Sequence, residues 1–198
     1  MTPGTHIKAA LTRFARAEDG SISVEAMLIL PILLWCYLAT FVFFDAYRSQ
    51  STNLKAAYTI GDALSREPEN ITPAYLDGMS ALHRFLVKGD NDLARLRITV
   101  YRFQASDNTY RVRWSRTRGG GLEMTDPVLA TLRENLPIMP NNEIAILVET
   151  WVGYSPTYSV GLDDFIFTDL VVTRPRFAAA GQMCVNSTNS NNLATRTC

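Results

Sequence analysis

The strongest constraint on the fold is an uncharged run from Ala26 to Phe44, AMLILPILLWCYLATFVFF, 19 residues long. At 1.5 Å of rise per residue such a helix covers about 28 Å, close to the ~30 Å hydrocarbon thickness of a bilayer. Asp45 and Arg48 close the run on its C-terminal side, and Tyr47 lies where an interfacial aromatic belongs. Pro31 falls inside it, which a membrane helix accepts with a kink and a carbonyl freed one turn back. A cleaved secretory signal fits less well, because the run is long for such a segment and no small-x-small site follows it. A buried core helix would keep a polar face, and this run has none. The run reads as a single membrane span.

Orientation is weakly marked by charge. Lys8, Arg13 and Arg16 precede the run and are partly offset by Glu18 and Asp19, while Arg48 and Lys55 beyond it are balanced by Asp45 and Asp62. Counting basic residues near the ends favours a cytoplasmic N-terminus only slightly. The junction Glu18-Asp19-Gly20-Ser21-Ile22-Ser23-Val24-Glu25-Ala26 says more. It sets a carboxylate at the mouth of the apolar run, five residues past a glycine. A charge at a helix centre in a bilayer costs about 2.5–3.5 kcal/mol on insertion scales, and less near an end. Two environments suit Glu25: a cation at the same depth, such as the free amine of a cleaved neighbouring chain, or the headgroups, where a carboxylate favours the first helical turn.

Gly20 followed by Glu25, behind a short charged leader and ahead of an apolar segment, resembles the processing site of type IV prepilins. Arg13-Phe14-Ala15-Arg16-Ala17-Glu18-Asp19-Gly20, then Val24-Glu25 and Pro31, look like the TadE/TadF group of minor pseudopilins from tight-adherence (Flp) pilus systems. Tyr154-Ser155-Pro156, an apolar stretch and Arg174-Pro175-Arg176 are similar to the end of TadE-like ectodomains. The likeness covers Arg13 to Phe44 and, more weakly, Val148 to Arg176; it departs at Ala26, where Tad pilins commonly carry an aromatic. The resemblance implies a cytoplasmic leader over 1–20, cleavage between Gly20 and Ser21 by a prepilin peptidase, and a role for Glu25 in assembly. It further implies a single-pass protein of the bacterial inner membrane with a periplasmic C-terminal domain. Its partners would be the inner-membrane lipid, other pilins or pseudopilins and the Tad assembly platform. The work would be association, with no catalytic residue. The alternative is a permanently anchored sensor or periplasmic binding domain in which the Gly20–Glu25 spacing is accidental.

Beyond the run, Leu54, Ala57, Tyr58, Gly61 and Leu64 keep helical spacing through Ser65, so 21–66 reads as a membrane helix extended into an amphipathic stalk. An extracytoplasmic domain follows over 67–177. Its first helix is expected over Pro73 to Val87, with Thr72 as N-cap, Pro73 in the first position, and Leu76, Met79, Leu82, His83 and Leu86 facing inward. Leu96, Ile98 and Val100 alternate with polar residues, as do Tyr110, Val112 and Trp114 after a turn around Ser106-Asp107-Asn108, which predicts a hairpin with one buried face. Gly119-Gly120-Gly121 interrupts the chain, and Asp126-Pro127 opens a short helix using Val128, Leu129, Leu132 and Leu136. Ile144 to Val152 is a nearly continuous apolar strand suited to a central position, and Leu170 to Thr173 supplies a fourth. The fold class is α+β: a membrane helix and stalk, then a small antiparallel sheet with helices on one face. The resemblance makes that plan pilin-like. Residues 178–198, rich in Asn, Ser, Thr and Ala, are expected to stay mobile for want of apolar bulk.

Chemistry-bearing residues are few. His6 belongs to the leader and His83 to a helix face assigned to the core; a membrane-tethered hydrolase would have to build its site on His83, with a Ser, Cys or Asp within hydrogen-bond reach. Asp163-Asp164 alone falls short of the six or more oxygens a calcium site usually needs, and no Cys or His spacing suggests zinc. No cofactor or metal is therefore expected. Outside the cytoplasm Cys184 and Cys198 would pair, closing a short loop worth about 3 kcal/mol in the chain-entropy model; otherwise they are two free thiols on a loose end. Seven arginines between Arg95 and Arg118 face eight acids between Gly121 and Asp169. They form either an exposed basic face or charge pairs across one sheet. No base-stacking aromatics interleave the arginines of the wet face, and no nucleic-acid partner is expected.

Overall fold

A computed structural model describes Arg13 and residues 22–88, 94–177, 183–189 and 193–198. The apolar run is the first part of one helix, α1 (Ile22–Ser65), which is 44 residues long and continues through Pro31. Its far half runs on through Ser65 with one face against the domain. Ala56, Ala57, Ile60, Gly61 and Leu64 are buried, so this half forms the inner wall of the domain. Leu54 and Tyr58, which the spacing put on the apolar face, are exposed. The contacting face combines small residues with the large side chains of Ile60 and Leu64. A Cβ built on Gly61 would meet Thr173 and Val148 side-chain atoms at 3.5 and 3.9 Å.

The second helix, α2 (Pro73–Val87), begins where the sequence predicts: Thr72 Oγ1 accepts the Tyr75 N–H at 3.2 Å and Pro73 stands in the first turn. Leu76, Ser80 and His83 are buried, with Met79 and Leu82 packed against the core. Four antiparallel strands follow: β1 (Arg95–Gln104), β2 (Thr109–Arg118), β3 (Ile144–Tyr154) and β4 (Phe165–Thr173), in spatial order β2-β1-β3-β4. The apolar strand β3 is interior, and the fourth strand begins five residues earlier than Leu170.

The sheet is covered on both faces, where one was expected. On one side α1 and α2 enclose Leu96, Ile98, Val100, Trp114, Ile146, Val148 and Val171. On the other, helix α3 (Asp126–Thr131) and a 3₁₀ turn at Arg133–Asn135 cover Tyr101, Ala145 and Leu147 through Leu129, Leu136 and Met139. A β-bulge supplies apolar side chains to both cores. Val100 pairs with Trp114 but Tyr101 pairs with Val112, leaving Arg113 as the extra residue. Trp114 therefore faces the helices, whereas Tyr110 and Val112 face α3, against the single buried face that their alternation predicts.

The C-terminal segment also departs from expectation. Its described residues form a two-stranded sheet, β5 (Val185–Asn186) with β6 (Arg196–Thr197), and Met183 to Asn186 are buried. Val185 bridges Ile71 in parallel: the Ile71 N–H donates to Cys184 O and the Asn186 N–H donates to Ile71 O, each at 2.8 Å. Trp114 Nε1 donates to Met183 O at 2.7 Å, and a disulfide joins Cys184 to Cys198. Average composition predicts mobility because it dilutes these anchors, yet two apolar side chains, a ladder and a covalent tie suffice to hold the segment.

Candidate membrane-anchoring and assembly site

The exposed half of α1 presents apolar side chains all round, including Met27, Leu28, Leu30, Leu33, Trp35 and Tyr37. At roughly 25 cal/mol per Å², leaving so many large side chains in water is strongly unfavourable, so this half requires an apolar surrounding. It is the one helix among the described residues long and apolar enough to cross a membrane. Glu25 lies in its first turn, exposed and without an ion pair or hydrogen-bond partner among the described residues. Gly20 and Ser21 lie outside the described residues. Cys36 is a free thiol exposed on the same rod.

The domain grips the rod at the end of its apolar run. Tyr154, the last residue of β3, donates its hydroxyl toward Val42 O and Asp45 Oδ2, both at 3.2 Å. Burial, then the Asp45 charge beside it, raises the Tyr154 pKa, so the hydroxyl keeps the proton it donates. The loop after β3 continues down the helix, where Val160 is buried against Ala39 and Val42, with Leu38 and Leu162 flanking them. The ring of Tyr158 meets that of Phe41 edge-on at 6.4 Å.

Two polar assemblies lie inside the domain. Asn53 of α1 is fully buried, donates from Nδ2 to Asp169 Oδ2 at 2.6 Å, and bonds through Oδ1 to His83 Nε2 at 3.0 Å. Because the Asn53 amide nitrogen donates to the Asp169 carboxyl group, the amide oxygen faces the ring and accepts from it, which assigns neutral His83 as the Nε2–H tautomer. Burial, and secondarily Arg84, lowers the His83 pKa to about 4, while burial raises that of Asp169 against the pull of Asn53. The hydrogen-bond partner of His83 is thus an amide that ties α2 to α1 and β4.

The second assembly lies on the opposite face. Arg97 Nε and Nη2 donate to Glu149 Oε2 and Oε1 at 2.6 and 2.7 Å, and the Arg97 guanidinium sits 5.2 Å from the Trp151 ring centre. Glu149 is 4% exposed, so this is a nearly dry two-toothed pair. The usable signal was Glu149 itself, a charge inside an otherwise apolar central strand that has to find a partner. Other arginines are paired as well: Arg111 with Asp107 and Asp126, Arg116 with Glu123, Arg118 with Asp77, and Arg174 with Glu143. Three of the seven arginines, Arg97, Arg111 and Arg116, thus pair with acids of the 121–169 stretch, namely Glu149, Asp126 and Glu123. Among the described residues no group of three His, Cys, Asp or Glu side chains is placed to hold a metal.

Compared with known proteins, the chain has no matching family model, and no curated protein or solved structure matches it significantly. The geometry itself joins a bare apolar rod bearing a solitary carboxylate to a head clamped on the rod's other half. Such an arrangement can insert in a bilayer and associate with other helices.

Proposed function

We propose that the chain is a minor pseudopilin or pilus-assembly component of a Tad/Flp-type secretion system, acting by membrane anchoring and protein–protein association rather than catalysis. The observation that carries this reading is the pairing of an exposed apolar half-helix with a Glu25 in its first turn that has no partner among the described residues. Such a carboxylate at the lipid boundary is stabilised by a cation at equal depth. Cleavage after Gly20 would supply one as the Ser21 amine of an adjacent subunit, in line with the resemblance at residues 13–44. In this reading the leader is cytoplasmic, α1 is held in the inner membrane beside other pilins and the assembly platform, and the head stands in the periplasm.

N-terminal sequencing of membrane-extracted protein tests the first step, with Ser21 as the expected first residue. Glu25→Gln should still insert but fail to support appendage assembly, and a Gly20 substitution should leave the leader attached. An intact Met1 start, together with normal assembly by both variants, would replace this reading with that of a permanently anchored sensor or binding domain.

A further inference from the structure

The loop between β3 and β4 carries a feature the anchoring role does not require. From Ser155 to Leu162 it holds eight residues without a charge, Ser-Pro-Thr-Tyr-Ser-Val-Gly-Leu, before Asp163 and Asp164. Its neck is polar, closed by Ser155 Oγ donating to Asp164 Oδ1 at 2.7 Å. Its tip is apolar and lies on the membrane run itself, with Val160 and Leu162 against Leu38, Ala39 and Val42, and Tyr158 beside Phe41.

Helix length decides where that tip sits. Residues 22–37, the part of α1 below the loop, cover only about 24 Å, short of a ~30 Å hydrocarbon core. A ~30 Å core counted from Ile22, the start of α1, takes about 20 residues and ends near Phe41, so Leu38 to Val42 reach the far boundary of the core and carry the loop packed on them to that depth. Leu38 to Val42 lie three to seven residues, roughly 5–10 Å of rise, before Asp45 restores charge. Val42 thus lies at the edge of the hydrocarbon, and Phe43 to Asp45 cross the interfacial zone, about 5–8 Å thick. An irregular loop cannot sit deeper, because its backbone groups need water or headgroups to bond.

We propose that the tip of the Ser155–Asp164 loop inserts into the interfacial zone of the leaflet facing the domain, as a second membrane contact beside α1. Tyr158, still 46% exposed, occupies the headgroup level, as interfacial tyrosines do. Asp163, Asp164 and the Ser155 neck stay in water. The head therefore rests on the lipid surface instead of standing away from it.

The inference rests on α1 spanning the membrane, and the test separates the two. The full chain, in a Cys36→Ser background with its disulfide left oxidised, would carry a nitroxide at Ser159→Cys in vesicles of phosphatidylethanolamine and phosphatidylglycerol. Thr157→Cys, a second exposed loop position, covers the case where the first variant misfolds. Two references are labelled in parallel: native Cys36 on the rod, and Asp107→Cys at the hairpin turn. Oxygen collisions should exceed those of a water-soluble nickel chelate at 159 and at 36, with the order reversed at 107. A label at 159 that behaves like 107 while 36 remains lipid-accessible would overturn the loop insertion and leave the span intact. Poor access to both reagents at 159 would also overturn it, in favour of a protein contact such as a second copy. Water access at 36 would remove the span and the inference together.

Discussion

At the residue scale, burial sets what each charged group can do. Arg97→Ala would strand the Glu149 carboxylate in a nearly dry site, at a cost of about 3–5 kcal/mol. Replacing both partners by apolar residues of similar size, Arg97→Met with Glu149→Leu, should be close to neutral. Chemical denaturation of the detergent-solubilised chain distinguishes these outcomes, and equal losses in the two variants would show that the pair does not act as a unit. His83 makes the opposite kind of prediction. Its folded pKa of about 4 lies below the ordinary 6.5, so the unfolded chain takes up the proton first as pH falls. Its contribution is complete above pH 6.5 and is lost between 6.5 and about 4, on the order of 3 kcal/mol in all. Asp169, shifted upward, returns part of that at the acid end, because its folded form holds a proton more readily than the unfolded one. Melting temperatures across that range should slope in the parent and flatten in His83→Gln. The Asn53 assembly could not be read from the sequence, since Asn53 and Asp169 stand 116 positions apart and nothing local couples them. Charge pairing across the sheet, as in Arg97–Glu149, was one of the two readings of the charge pattern.

At the scale of elements, legibility followed the locality of the signal. The start of α2 was written in Thr72-Pro73, and the interior place of β3 in its unbroken apolar run, each a matter of a few adjacent residues. The β2 bulge was not, because Tyr110, Val112 and Trp114 keep a perfect alternation on paper while Arg113 resets their faces in space. The C-terminal segment was misread for a related reason: its order comes from Ile71 and Trp114, both distant in sequence. Cys198→Ser should therefore cost about 3 kcal/mol, and it should do so through the edge of the core rather than through a remote tail. Hydrogen exchange at the Ile71 and Asn186 amides is the direct readout. Unchanged protection there would mean that the ladder holds without the covalent tie.

At the scale of the whole molecule, the membrane run, the solitary Glu25 and the α+β class were legible early, since length, charge and periodicity are properties of the chain itself. The missing part was that α1 serves as anchor and core wall at once, which only the position of the sheet reveals. With no break between the two halves, the rod fixes an angular phase. Each residue added to an α-helix rotates the remainder of the rod by about 100°. A single Ala inserted between Tyr47 and Arg48 should swing the lower rod by that angle beneath the head, pulling Val42 away from Tyr154 and Val160. Thermal denaturation should report the lost contacts. The compass bearing of the head about the rod is thus written in the residue count of one uninterrupted helix.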